Sequence, residues 1–116
     1  MRSYLTLFVL VALGTACLAG EIRKGAAMQV RANSIWFQDA ALLTRWQKLK
    51  NGSDAKAFAA YQEKALGHRD AWQFVYPQAV KILGFERKTN QVHVQMTGEG
   101  RLQDSEWFVD AEALEK

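Results

Sequence analysis

Residues 79–114 constrain the fold more than any other stretch of the chain. Val92, Val94 and Met96 alternate with His93 and Gln95, the period of a strand with one buried and one wet face. Before them, Val80 and Ile82 alternate with Lys81, and Leu83 and Phe85 carry the apolar run past Gly84. The apolar phase therefore slips by one residue at Gly84, which predicts a bulge or a sharp bend. Arg87, Lys88, Thr89 and Asn90 form a polar turn in which Asn90 suits a left-handed conformation. Trp107, Phe108 and Val109 read as a third short strand, and Asp110 is placed to cap a helical turn over residues 111–114. Three antiparallel strands with one apolar face need a cover in water.

A helical hairpin over about residues 39–66 is the expected cover. Asp39 opens the first helix, and Leu42, Leu43, Trp46 and Leu49 fall at helical spacing along one face. Lys48 and Lys50 lie in its last turn, where cations suit the helix dipole, and Asn51-Gly52 ends it. Ser53 or Asp54 caps the second helix, whose apolar face is Phe58, Tyr61, Ala65 and Leu66, with Gly67 as the stop. Leu42, Trp46, Phe58 and Leu66 are expected to lie on the sheet. Residues 28–37 read as one first strand interrupted by the turn-prone Asn33-Ser34. Residues 71–76 fit either a strand with Trp72, Phe74 and Tyr76 on one side or a continued helical turn, ended in both cases by Pro77.

The amino terminus reads as an address. Arg2 precedes an uncharged apolar run over residues 5–13, and Cys17 and Ala19 supply small residues before a cut ahead of Gly20. Residues 1–19 are thus expected to be a signal peptide, and residues 20–116 a single α+β domain with its β-rich part over about 71–116. The apolar run is too short for a comfortable span of about 20 residues, so no stable membrane span is expected in the mature chain. Cys17 admits a second reading as a lipidated first residue, but Leu13 stands four residues before it where a lipobox places Leu three before. Soluble export, periplasmic or secreted, is the default. Without Cys17 the mature chain has no cysteine, which excludes disulfides and thiolate metal sites.

Catalytic patterns are missing. His68 and His93 are far apart in sequence, and the acids are scattered, so no metal site, cofactor or carboxylate pair is expected. Ser34, Ser53 and Ser105 lack a nucleophile-elbow context, and Gly98-Glu99-Gly100 is no phosphate loop. Asn51-Gly52-Ser53 matches a glycosylation acceptor pattern but serves as a helix-to-helix turn. The net charge of +3 is split, with 12 bases and 6 acids over residues 21–88 against 2 bases and 6 acids over 99–116. Two solvated faces of opposite sign explain this, and no basic stripe argues for nucleic acid. Four tryptophans are many for this length. Trp46 and Trp107 sit in apolar patterns, whereas Trp36 and Trp72 have apolar neighbours that compete with them for burial. Trp36 and Trp72 are therefore the candidate partner-binding residues.

The order strand, turn, strand, Gly loop, then Trp107-Phe108-Val109 closed by Leu114 resembles the second half of bacterial SH3-like barrel domains over about 45 residues. The resemblance implies a small antiparallel, partial barrel, here with a helical hairpin inserted after the first strand. Ser34-Ile35-Trp36-Phe37 with Trp46 also resembles small exported bacterial proteins of unassigned function. SH3-like barrels serve many kinds of binding, so the implied class is broad. The expectation is an exported, non-enzymatic protein that binds a protein or cell-wall partner. The alternative is a periplasmic enzyme inhibitor or immunity-type protein probing a cleft with the charged loop over residues 98–104. Oligomeric state is not encoded in any pattern here.

Overall fold

The computed structural model describes residues 21–115; the leader expected over residues 1–19, Cys17 included, lies outside them. Seven strands form one antiparallel sheet: β1 (Ala27–Val30), β2 (Ile35–Phe37), β3 (Ala71–Gln73), β4 (Gln78–Glu86), β5 (Gln91–Met96), β6 (Glu106–Asp110) and β7 (Leu114–Glu115). Two helices, α1 (Ala40–Lys50) and α2 (Ala55–Gly67), separate β2 from β3, and a 3-10 turn (Ala111–Ala113) separates β6 from β7. The strand order is β3-β2-β6-β5-β4-β1-β7. The fold is α+β, and the sheet stays open, with β3 and β7 as its edges.

The central hairpin forms where the alternation places it. β4 and β5 pair with Ile82 opposite Val94 and Gly84 opposite His93, so Leu83 is the extra residue of a bulge. That bulge restores the apolar phase: Phe85 lies opposite Val92, on the same face as Ile82 and Val94. Asn90 turns the chain with a φ of 58°. Asp110 caps the 3-10 turn, its Oδ1 accepting from the Glu112 N–H at 2.8 Å.

Residues 28–37 are two strands rather than one interrupted strand. Asn33 has a φ of 66°, and the turn around it sends β1 to pair with β4 and β7, whereas β2 pairs with β3 and β6. The Arg31 N–H donates to the Ala113 carbonyl at 2.8 Å and the Asn33 N–H to the Phe74 carbonyl at 2.7 Å, which holds both ends of the turn. Residues 71–73 are strand, and the extended pairing stops there; Phe74 and Tyr76 lie beyond it.

The helical hairpin covers the opposite face of the sheet from the one expected. The apolar face of β4 and β5 packs with Val30, Trp36, Trp107, Val109 and Leu114 in one core, roofed by Ile22. The helices build a second core: Leu43, Trp46 and Ala65 pack on Ile35, Phe37 and Ala71, with Leu42, Phe58, Tyr61, Leu66 and Phe108 at its margin. β2 and β6 serve both. Trp36, Trp107 and Val109 point to the first core, and Ile35, Phe37 and Phe108 to the second, as the strand period requires. A strand that is apolar at three consecutive residues is one buried on both faces, and Ile35-Trp36-Phe37 is such a strand.

Both helix starts follow from capping. Asp39 accepts from the Ala41 N–H at 2.8 Å and Asp54 from the Ala57 N–H at 3.0 Å. Trp46 spans the two helices: its indole N–H donates to Gln62 Oε1 at 2.9 Å, and its ring meets Phe37 at 5.7 Å and Phe58 at 5.5 Å.

Candidate functional site

Trp36 and Trp72 face each other across β2 and β3 as register partners. Their surroundings differ. Trp36 is 0% exposed, with Phe74 and Trp107 edge-on to its ring at 5.1 and 6.1 Å. Its indole N–H is buried with no acceptor among the described residues, which aromatic surroundings cannot fully offset. Trp72 is 36% exposed, its ring at 82° to Trp107. The two rings do not form a shared exposed shelf, and Trp36 has no surface to offer a partner.

Trp72 instead belongs to an apolar edge. Val75 and Tyr76, in the segment that leaves β3, are 65% and 73% exposed. β3 pairs with β2 alone, so its other side has no strand beside it among the described residues. An open hollow of about 420 Å³ lies along this edge, lined by Leu66, Arg69, Ala71, Trp72 and Gln73. Val75 carried no sequence signal of its own, since an apolar residue beside Phe74 reads as core. Pro77 was the usable clue, because it ends the strand and leaves Val75 and Tyr76 outside the ladder.

A second concave region follows the carboxyl-terminal half of α1. Clefts of about 370 and 460 Å³ lie on either side of the ion pair between Lys50 Nζ and Glu112 Oε1, 3.3 Å apart. Lys50 also lies 5.0 Å from the centroid of the Trp46 ring. Beneath the pair runs a buried polar network joining α1 to the sheet. Gln47 Nε2 donates to Asp110 Oδ2 at 2.9 Å, and Gln91 Nε2 donates to Gln47 Oε1 at 3.0 Å and to Thr44 Oγ1 at 2.7 Å. Asn90 Nδ2 adds a bond to Asp110 Oδ1 at 3.3 Å. Sequence reading did not find this network, because a Gln on the helix's polar margin looks solvated until its neighbours are known.

The histidines are separated. His68 caps the carboxyl end of α2 and is exposed. His93 stacks on Phe108 at 4.4 Å and 7°, and its Nε2 lies 3.0 Å from Glu106 Oε1. This brings a histidine to a carboxylate, at a shallow hollow lined by Phe85, Glu86 and Gln91, but places no Ser, Thr or Cys hydroxyl or thiol in the lining. Among the described residues, no three His, Cys, Asp or Glu side chains gather closely enough to hold a metal ion. No described helix is long and apolar enough to cross a membrane. The 98–104 loop is exposed at Glu99, Gly100, Arg101, Gln103 and Asp104, while Leu102 packs against the first core and the Asp104 N–H donates to the Met96 carbonyl at 2.8 Å.

Comparison with family models, curated proteins and solved structures finds no match to this chain.

Proposed function

We propose that the protein is an exported, non-enzymatic binding protein that holds an extended segment of a protein partner along the open edge of β3. The observation that carries this reading is the coincidence of Trp72, Val75 and Tyr76 with a strand edge and a hollow beside it. An unpaired edge offers main-chain hydrogen bonds to an added strand, and the side chains beside it supply selectivity. Tryptophan and tyrosine are the residues that most often dominate binding energy when a partner covers them. Export rests on the leader pattern of residues 1–19. The SH3-like reading is supported by the sub-order β6-β5-β4-β1-β7 and by the 3-10 turn between β6 and β7. On that reading β2, the helical hairpin and β3 are an insertion between the first two barrel strands.

The inhibitor reading relies on the 98–104 loop, which exposes Glu99, Gly100, Arg101, Gln103 and Asp104 while Leu102 packs against the first core. The β3 edge is the more apolar of the two surfaces, since it holds Trp72, Val75 and Tyr76. A photo-crosslinking residue in place of Val75 tests the proposal in envelope extract. A discrete protein adduct is expected, and it should vanish when Tyr76→Ala and Trp72→Ala are added. Adducts at a crosslinker placed at Arg101, with none at position 75, would favour the inhibitor reading instead.

A further inference from the structure

The pairing of β2 with β3 fixes what the open edge offers. The Gln38 N–H donates to the Asp70 carbonyl at 3.3 Å, which makes positions 38 and 70 a hydrogen-bonded pair. Such pairs alternate along an antiparallel ladder, so Trp36 and Trp72 are the next one. The main-chain N–H and C=O groups of Ala71 and Gln73 therefore point away from β2, where no described strand meets them. Ala71 is only 2% exposed, so water reaches its groups poorly as well. An antiparallel segment meets all of these groups with its residues opposite Ala71 and Gln73, its middle residue lying opposite Trp72. A parallel segment would need a longer stretch to do the same. Antiparallel addition brings the carboxyl side of the segment past Arg69.

Arg69 is the unexpected residue at this edge. It closes α2 in a Schellman motif, its N–H donating to the Leu66 carbonyl at 3.2 Å and the Asp70 N–H to the Ala65 carbonyl at 2.9 Å. Its φ of 63° is left-handed, in a place that usually goes to glycine. The other non-glycine residues of positive φ are Asn33, Asn90 and Asp104, types that tolerate it, and arginine is not one of them. A side chain kept where the backbone favours glycine directs attention to that side chain's use. Arg69 has no ion-pair partner among the described residues, and no carboxylate shares its place in the lining of the hollow beside β3. Asp70, its neighbour in the chain, acts instead on the Tyr61 phenol in the helical hairpin. A guanidinium so placed suits a carboxylate, and because the hollow is open, a bound chain runs on past it rather than stopping there. We infer that the segment added to β3 runs antiparallel to it and carries an acidic side chain on its carboxyl side, held by Arg69; this rests on the strand-addition reading above.

The test is a nuclear magnetic resonance titration of the exported protein with acetylated, amidated hexapeptides that alternate threonine with valine and differ in their end residues. One ends in glutamate, one ends in glutamine, and one carries the glutamate at its amino end. A fourth ends in glutamine with a free carboxyl group. Strand addition should move the Ala71 and Gln73 amide N–H signals downfield, saturably, with every peptide. The peptide ending in glutamate should bind at least threefold more tightly than the amidated peptide ending in glutamine, and the amino-end glutamate should bring no gain. Arg69→Gly should melt no lower than wild type, bind the glutamine peptide as before and lose the preference for glutamate. Equal affinities, a gain that follows the amino-end glutamate or the free carboxyl group instead, or a preference that survives Arg69→Gly would overturn the inference and leave strand addition standing. No shift at Ala71 or Gln73 with any peptide at millimolar concentration would overturn both.

Discussion

The two tryptophans paired across β2 and β3 have different work to do. Trp36→Ala should cost about 3–5 kcal/mol, as a large-to-small change in a filled core does. Trp72→Ala removes a partly exposed ring and should cost about 1–2 kcal/mol. Tyr76→Ala should stay within about 0.5 kcal/mol of wild type. Urea midpoints for the three variants check this ranking, and equal losses at Trp36 and Tyr76 would contradict it. The sequence nominates both tryptophans and ranks Trp36 as the more structural, because Ile35 and Phe37 flank it in a strand that must bury something, and Trp36 is the one the fold buries. The run Ile35-Trp36-Phe37 is legible as doubly buried only once a layer on each side is known. Tyr61 offers a test at alkaline pH. Burial raises its phenol above the ordinary 10.0, with Asp70 adding to the rise and Arg45 opposing it. The fold therefore favours the neutral phenol, so this contribution to stability is complete below about pH 10 and is lost as pH climbs toward the folded-state value. Tyr61→Phe should flatten that alkaline decline in the thermal midpoint while sacrificing the 3.2 Å bond from the Tyr61 hydroxyl to the Leu42 carbonyl.

Both helices were legible as elements. Asp39 and Asp54 announce their starts, and the 3.6-residue spacing of Leu43 and Trp46 gives the buried stripe of α1. What the stripe packs on was not legible, since the apolar faces of β4 and β2 offer equivalent chemistry and only the course of the chain between them decides. The helices take the Phe37 and Phe108 face, and the β4–β5 face finds its cover in Trp36, Ile22 and the curl of its own sheet. Trp46→Ala should therefore cost about 3–5 kcal/mol through the second core alone. A midpoint matching wild type would make the helical hairpin an appendage. The polar network beneath Lys50 gives a separate measure of docking. Gln47→Ala strands Gln91 and Asp110 on one side and should cost about 1–3 kcal/mol. In a double-mutant cycle, Gln47 and Asp110 should couple by about 0.5–3 kcal/mol, and additivity would mean that the bond between them does not bind α1 to the sheet.

At the scale of the molecule, a single sheet carries a core on each face, and β2 and β6 belong to both. Local pairings such as the β4–β5 hairpin with its Leu83 bulge could be read from residue alternation, since partners lie a few residues apart. The pairings of β1 with β7 and of β2 with β6 join residues more than sixty positions apart, and no periodicity encodes such contacts. The same non-local pairing leaves β3 at the edge, where Trp72, Val75 and Tyr76 become a surface, so the proposed partner surface was legible at one residue and hidden as a surface. Sharing two strands should make the cores unfold together, with helical circular dichroism and tryptophan fluorescence tracing one transition. Separate midpoints for the two signals would show independent units. The central claim, that the β3 edge is the partner surface, is tested most directly by crosslinking from position 75 in envelope extract, comparing the otherwise unchanged protein with a Tyr76→Ala form that melts at the same temperature. The account predicts a discrete protein adduct that falls at least tenfold with Tyr76→Ala. An adduct of equal yield in both, or none from position 75 while another surface captures a partner, would contradict it.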